Sequence, residues 1–428
     1  MQAVFAKLGG AVLGIVVNVI LARIMGPEDF GRYALAMAFG TLLVVIASGG
    51  MPFGAIRFVP GYLAKGKFAA VRGFYKVSFA ITVLGGAICL VGMLVSASLL
   101  DQNHLIAKVL PWAALMIMPA ALAQTVASLL QARGRVAGPE IIQSLVRQGM
   151  TLVLILAWVL VGGELDFRIA MAISTLAVAL AAVLLWLQLA RLGQDEPRPR
   201  PDLHSELKLW MGAGAGLLVI LVMAALNERV DLFVLGWLTT PADLGVYSAA
   251  ARISSIAILG LAGLGAAYTP RISAAWANRD IAEVERLCRE GALAGMGLTF
   301  TMTLGAYLLG DFVLSVFGEA FSAGATVLTI LLSAQIAVGM MGLASGLAII
   351  SGNAHIALTG VMLGLTVNAV TGVLLVPLFG MTGAALGVVA GFIVSQVLIG
   401  LWCSARLGLR ATLLPFGGRR PRTAVRHA

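Results

Sequence analysis

Charge is what this chain has least of. Only 11% of its 428 residues are acidic or basic, while 60% are hydrophobic and the mean hydropathy is +1.00. A soluble domain carries about 25% charged residues. A soluble surface could not hide this much apolar side chain, so the excess must face lipid. Cysteine is nearly absent as well. Cys89, Cys288 and Cys403 are scattered without paired spacing, which excludes a disulfide framework and a thiolate metal site. None of the four histidines, 104, 204, 355 and 427, has a neighbouring ligand, so no metal is expected. The stretch Gly61–Phe68 resembles a phosphate-binding loop only superficially. It carries Phe68 where a Ser or Thr would hold Mg²⁺, and no strand precedes it.

Long apolar runs take the place of these features. Residues 5–25, 30–51, 77–100, 109–130, 142–162, 169–189, 217–238, 247–268, 291–309, 327–350, 356–379 and 381–402 are each long enough to cross a bilayer, which takes roughly 20 residues of helix. The expected fold class is therefore an all-α polytopic membrane protein of about twelve transmembrane helices. The first run begins almost at Met1, with only Lys7 before its apolar body and no small-residue cleavage site. It reads as an uncleaved span.

The net charge of +10 is a matter of placement. Nearly all basic residues outside the spans fall in the even-numbered joins and the C-terminal tail. The odd joins and their flanks hold only Arg23, Arg32, Lys108 and Arg168. Since positive charge stays in the cytoplasm, both termini are expected there, and the basicity reports topology. The basic residues are spread over separate loops without interleaved aromatics, so no nucleic-acid partner is expected.

One short phrase is written twice. "PEDFGRY" begins at Pro27 and "PADLGVY" at Pro241, 214 residues later and half of the chain length. Arg57 and Arg271 share that offset. "GRVAGP" from Gly134 and "GNAHIA" from Gly352 stand at equivalent ends of spans four and ten. Between the two sets lies the only long polar, proline-rich stretch, "GQDEPRPRPDLHS". We therefore expect a six-helix lobe over 1–192, a cytoplasmic linker over 193–206, a second six-helix lobe over 207–409 and a basic cytoplasmic tail over 410–428. Six is even, so both lobes start on the same side and the repeats are parallel. The phrase itself reads as a helix start. Thr240 is the N-cap, Pro241 the first helical residue, and Asp243 an acid in the first turn. In the first copy Gly26 replaces the Thr, while Glu28 and Asp29 keep negative charge at the helix start. Tyr33 and Tyr247 read as interfacial aromatics.

The stretches "LARIMGPEDFGRYALA" (21–36), "RVDLFVLGWLTTPADLGVYSAAARIS" (229–254) and "VPLFGMTGAALG" (376–387) resemble the polysaccharide transporter family. Its superfamily also holds the multidrug and toxin extruders and the lipid II flippases. The resemblance runs from Phe5 to about Leu409. It implies two lobes around a central cleft, alternating access, and a lipid-linked (undecaprenyl-pyrophosphate) oligosaccharide as substrate, moved across the bacterial cytoplasmic (inner) membrane for envelope or extracellular polysaccharide synthesis. Members often have fourteen spans, two more than this chain fits. The resemblance further implies no cofactor, drive by an H⁺ or Na⁺ gradient, and polysaccharide polymerase and chain-length machinery as partners.

Polar residues inside spans are the candidate site, because an ionisable group near the bilayer centre is costly unless it faces a cavity or a partner. "NERVD" (227–231) places Asn227, Glu228, Arg229 and Asp231 in mid-span seven, with Glu228 and Asp231 on one helical face. Asn18 in span one is the repeat-equivalent of Asp231. Lys7 and Arg147 lie in the inner part of their spans and Arg252 towards the outer end. The expected substrate-binding set is Lys7, Asn18, Arg147, Asn227, Arg229 and Arg252, with Glu228 and Asp231 as ion-coupling residues. Gly10-x-x-x-Gly14 and Gly383-x-x-x-Gly387 read as helix-packing sites, and Gly212-Ala-Gly-Ala-Gly216 as a flexible point. A multidrug cation exporter is the alternative within transport, although four in-span basic residues against two acidic ones disfavour a cationic cargo. A membrane polysaccharide polymerase or glycosyltransferase would need a sizeable outer loop or paired carboxylates, and the outer joins are short. The chain is not expected to be an enzyme.

Overall fold

The computed structural model describes residues 2–192, 199–202, 206–341 and 343–407, and every regular element among them is helical. Most of the expected linker and the whole expected tail lie outside the described residues. Hydrocarbon offers main-chain N–H and C=O groups no water, so a spanning segment must satisfy them internally, as a helix does.

In chain order the helices are α1 (Gln2–Ala47), α2 (Met51–Ala64), α3 (Phe68–Leu99), α4 (Leu105–Ala132), α5 (Ala137–Ile141), α6 (Arg147–Leu160), α7 (Phe167–Leu192), α8 (Leu207–Asn227), α9 (Val230–Leu238), α10 (Pro241–Ala277), α11 (Ile281–Ser315), α12 (Ala325–Met341), α13 (Ala344–Ile350), α14 (Ala354–Phe379) and α15 (Met381–Trp402). A π-helical turn (Ile142–Val146) joins α5 to α6, a 3₁₀ turn (Glu319–Gly324) leads into α12, and a second π turn (Cys403–Leu407) follows α15.

Among the described residues eleven stretches are long and apolar enough to cross a membrane. The first, Phe5–Ala47, has 43 residues, about twice the length one crossing requires. Inside it Gly26 leaves helical geometry at φ 73° and ψ 177°. A residue without Cβ permits that turn of the chain, and spans one and two meet there. The expected twelve spans are thereby accounted for.

The chain divides into two compact units, Met1–Leu226 and Asn227–Ala428. The division falls within span seven, beyond the proline-rich stretch. In the first unit α4 is central, with half of its most apolar window buried. Its Thr125 shares a hydroxyl–hydroxyl hydrogen bond of 3.0 Å with Thr82 of α3, and Tyr33 of α1 shares one of 3.1 Å with Ser174 of α7. Such pairs satisfy hydroxyls that lipid could not. Gly10 of α1 works by absence: a Cβ there would lie 2.5 Å from the Ser144 Cβ, so the two helices touch backbone to backbone.

The described part of the linker is strapped to this unit. Arg72 donates to the Pro199 carbonyl at 2.9 Å, and the Asp202 amide donates to the Ala69 carbonyl at 3.0 Å. The Tyr62 hydroxyl donates to Glu206, which also faces the Lys67 ammonium at 3.9 Å. Trp210, in the first turn of α8, is 1% exposed and donates from Nε1 to the Tyr62 oxygen at 2.9 Å. It packs edge-on against Phe74 within a cluster that includes Met51, Val71 and Leu130. Helix α8 therefore begins as part of the first unit.

The second unit is built on close helix pairs. A Cβ on Gly339 of α12 would lie 2.8 Å from the Gly295 carbonyl carbon of α11, and one on Gly387 of α15 would lie 3.1 Å from the Asn368 carbonyl oxygen of α14. The expected packing role of 383–387 is thus realised against α14.

Removing the Trp210 indole should destabilise the first unit by about 3–5 kcal/mol, the usual loss for a buried Trp→Ala change. Trp210→Ala should lower the thermal midpoint of the detergent-solubilised protein well below that of Trp210→Phe, which keeps the ring contact with Phe74. Equal midpoints for the two variants would show that the linker strap contributes little.

Candidate functional site

The second copy of the repeated phrase starts α10 as expected. The Thr240 hydroxyl oxygen accepts from the Asp243 amide at 3.2 Å and donates to the Asp243 carboxylate at 2.8 Å. In the first copy no cap forms at Gly26. Glu28 and Asp29 instead pair with Arg32, the Asp29 contact being 2.6 Å. The tyrosine of the phrase is buried in both copies. Tyr33 is 7% exposed and bonded to Ser174, while Tyr247 is fully buried and donates to Asp231 Oδ2 at 2.5 Å. A helix capped by Thr240 places Tyr247 almost two turns in, which carries its hydroxyl back onto α9.

Span seven is not one helix. Its first part, α8, ends at Asn227, and residues 228 and 229 form a turn. Arg229 has φ −136°, and α9 then runs for nine residues. Glu228 and Asp231 consequently do not share a helical face, and the continuous mid-span helix expected from the sequence is corrected. A polar run of Asn, Glu and Arg can turn here because its side chains and freed main-chain groups need not all meet lipid. The break gives α9 its own N-terminus within span seven, with Asp231 in the first turn at the positive end of the helix dipole. Both carboxylate oxygens are partnered. Oδ1 accepts from the Leu232 amide at 2.9 Å and Oδ2 from Tyr247. Arg229 lies two residues before it, in the turn. Glu228 by contrast is exposed, while Asn227 and Arg229 are half-buried.

In the first unit α1 and the π turn form the corresponding polar region. Ser144 donates to the Ala6 carbonyl at 3.0 Å and also to the Glu140 carbonyl of its own helix. Lys7 and Arg147 therefore flank one interhelical contact, Lys7 exposed and Arg147 half-buried. A π turn adds a residue to the helical repeat and so resets the face on which the following residues lie; Arg147 is the first residue after it. The Arg147 Nε donates to the Gln143 carbonyl at 2.9 Å. Asn18 donates from Nδ2 to the Gly14 carbonyl at 2.6 Å, a bond within its own helix. The two repeats thus differ: Asn18 is satisfied locally, Asp231 by another helix. Arg252 is half-buried on α10, five residues beyond Tyr247.

The structure places Asn227, Glu228, Arg229 and Asp231 at one break in the second unit, and Lys7 and Arg147 on either side of the Ser144–Ala6 contact in the first. Sequence reading missed Tyr247 as the partner of Asp231. The signal was present, since the tyrosine is kept in both copies of the phrase and a ring inside a span needs a partner for its hydroxyl. Among the described residues no cluster of His, Cys, Asp and Glu could hold a metal ion.

A double-mutant cycle tests the carboxylate–phenol contact. Tyr247→Phe removes the donor to a carboxylate, and a charge-assisted hydrogen bond contributes about 1.5–3 kcal/mol. The losses in Tyr247→Phe and Asp231→Asn should be non-additive by at least about 1 kcal/mol in thermal or denaturant unfolding. Additive losses would mean that the two groups do not act on each other.

The chain matches the family model "Polysaccharide biosynthesis protein" over residues 3–276 and the MatE model over residues 217–374. No curated protein matches it. Among solved structures it is similar to a multidrug resistance MATE family transporter of the MOP superfamily in an inward-facing conformation. That TM-score is 0.73 at 13% identity, covering 92% of this chain and 93% of the other. The lipid II flippase MurJ in an inward closed conformation gives 0.67 at 13% identity, over 93% of this chain and 86% of that one. A MOP superfamily transporter from Pyrococcus furiosus gives 0.52 at 16% identity, over 94% and 91%. At such identities the likeness establishes a shared fold. With the family model covering well over half of its length, the chain belongs to the polysaccharide biosynthesis protein family and has the fold of the MOP superfamily transporters.

Proposed function

We propose that the protein is a flippase for a lipid-linked oligosaccharide carried on a polyprenyl pyrophosphate (undecaprenyl in bacteria). It serves envelope or extracellular polysaccharide synthesis in the bacterial inner membrane, with both termini cytoplasmic. The observation that carries the reading is the placement of basic side chains inside spans of both units: Lys7 and Arg147 in the first, Arg229 and Arg252 in the second. A pyrophosphate crossing hydrocarbon needs cations along its path, since an unpaired anion there is strongly disfavoured. Arginine suits phosphate because its planar fork donates two hydrogen bonds at once. The family match supplies the polysaccharide context. Asn18 and Asn227 are assigned to the sugar, and alternating access moves the cargo while its tails stay in the bilayer.

Drive comes from an H⁺ or Na⁺ gradient acting at Asp231. The break between α8 and α9 supports this assignment, because unwound segments with a half-helix terminus are where transporters hold ions and anions. Glu228, exposed, is the lesser member of the coupling pair. A polymerase and chain-length machinery would receive the flipped product on the outer side.

The MatE match over 217–374 favours one second reading, a multidrug cation exporter. The in-span charge argues against it. Basic residues outnumber acidic ones, four (Lys7, Arg147, Arg229 and Arg252) against two (Glu228 and Asp231).

The decisive experiment is complementation of a strain lacking the protein. Arg147→Ala and Arg252→Ala should each lower polysaccharide export at least about tenfold, the effect of losing one charge-assisted contact, at normal protein abundance. Arg→Lys should restore export only in part, and Arg289→Ala, exposed on α11, should leave it unchanged. Asp231→Asn should remove the dependence of flipping on the driving ion. Full complementation by both alanine variants, with dye efflux lost in either, would replace the flippase by the exporter. Orientation is read separately: reporters at Gly66 and Asn278 should be cytoplasmic and those at Asp101 and Glu164 external, and a cytoplasmic Glu164 would overturn the parallel arrangement.

A further inference from the structure

The two copies of one element have different shapes. In the first unit the span that starts at Pro27 stops at Ala47, turns through Ser48, Gly49 and Gly50, and resumes as α2. Gly49 and Gly50 have φ 58° and 72°, in the left-handed region that favours glycine. After the turn the chain is well packed: Met51, Pro52, Gly54, Ala55, Val59 and Tyr62 are all buried. In the second unit the same span is the single helix α10 of 37 residues. At the offset of 214 fixed by Pro27 and Pro241, Gly49 corresponds to Gly263.

Helix α10 is held at its two ends. Leu244–Ala250, Ser254 and Ala257 are buried in its outer half, and Ile272 and Ala275 sit in a cluster with Val284, Leu347 and Ile399. Between Ala257 and Ile272 no residue is buried. That interval contains 260–267, reading GLAGLGAA, and then Pro270. A Cβ at Gly263 or Gly265 would meet nothing within 4 Å, so neither glycine serves packing. Glycine within a helix is nevertheless unfavourable relative to alanine. Pro270 has no amide proton for the Ala266 carbonyl and crowds the preceding turn. Two glycines without a packing role and a proline just beyond them weaken the same stretch, which touches α11 at Gly260 and Leu261 but not at Gly263 or Gly265.

We infer that α10 is a conditional hinge, which bends at Gly263–Gly265 during the transport cycle into the broken form that its repeat partner holds permanently at Gly49–Gly50. The first copy is broken and buried beyond its turn, the second straight and without a buried residue from 258 to 271, so the second retains a move that the first has completed. A bend here would reorient the half of α10 that carries Arg252 relative to the half anchored by Ile272, all within the second unit. The inference concerns motion and does not rest on the identity of the cargo.

The test uses the full chain in nanodiscs and two readouts. Amide exchange over 258–271 should be at least tenfold faster than over 291–305 of α11. The double variant Gly263→Ala/Gly265→Ala, which has room for both methyl groups, should slow it roughly 20-fold from the gain in helix propensity at two sites. In the complementation assay the same variant should lower export several-fold at normal abundance. The control Gly297→Ala/Gly305→Ala, also in open space on α11, should not. Exchange over 258–271 as slow as in α11 and unmoved by the substitutions would overturn the hinge. Lost export without slowed exchange would also overturn it, because the glycines would then be leaving room for cargo. Slowed exchange with normal export would show that the bend is no part of the cycle.

Discussion

Every feature of this protein depends on one constraint: inside hydrocarbon each main-chain N–H and C=O must find its partner within the chain. The constraint makes the spans helical without regard to local propensity, which is why a glycine-rich stretch such as 260–267 is helix at all. It also makes each interruption informative. Among the described residues the chain leaves helical geometry at several places in or between spans, and three of them are marked by residues that tolerate or exploit the loss. Gly26 and Gly49–Gly50 accept positive φ, while Asn227–Arg229 bring side chains able to hydrogen-bond where the main chain turns. The π turn before Arg147 keeps its hydrogen bonds with a changed register and uses Ser144 to tie itself to α1.

The same constraint extends to side chains. Polar groups within the spans are mostly satisfied by the nearest carbonyl, as with Asn18 on Gly14, Thr151 on Arg147 and Thr299 on Gly295. Bonds of this kind hold a group in place at no demand on other helices. Asp231 differs because its partner hydroxyl comes from α10 and was brought there by the cap at Thr240. A contact between elements can be changed by moving one of them, whereas a bond inside one helix cannot. That difference separates Asp231 from Asn18.

Much of this was legible in the sequence, for physical reasons. Span number, helix class and the doubled phrase follow from hydropathy and spacing, and the cap at Thr240 from residue types with few other roles. The helix stops at Gly134 and Gly352, matched in the sequence by position alone, prove to be left-handed residues with φ 78° and 81°. The break at Glu228–Arg229 was not legible, because hydropathy averages over some twenty residues and cannot tell an interrupted helix from an intact one. Tyr33 and Tyr247 were assigned to the interface because an aromatic near a span end is comfortable there. Their tertiary partners were not legible there: Ser174 in one unit and Asp231 in the other hold the hydroxyl within the protein. The attachment of α8 to the first unit was likewise hidden, since it rests on Trp210 meeting Phe74 and Tyr62 across well over a hundred residues of chain.

The compact division at Leu226/Asn227 and the break at 228–229 coincide, and one cause accounts for both. Helix α8 is committed at its start to the first unit through Trp210, and α9 is committed to the second through Asp231 and Tyr247. Between the two commitments stand two non-helical residues, Glu228 and Arg229. The charges of 228–231 therefore serve two ends at one position. They bring hydrogen-bonding side chains to the turn of the main chain, and they place Arg229 and Asp231 at the N-terminus of α9.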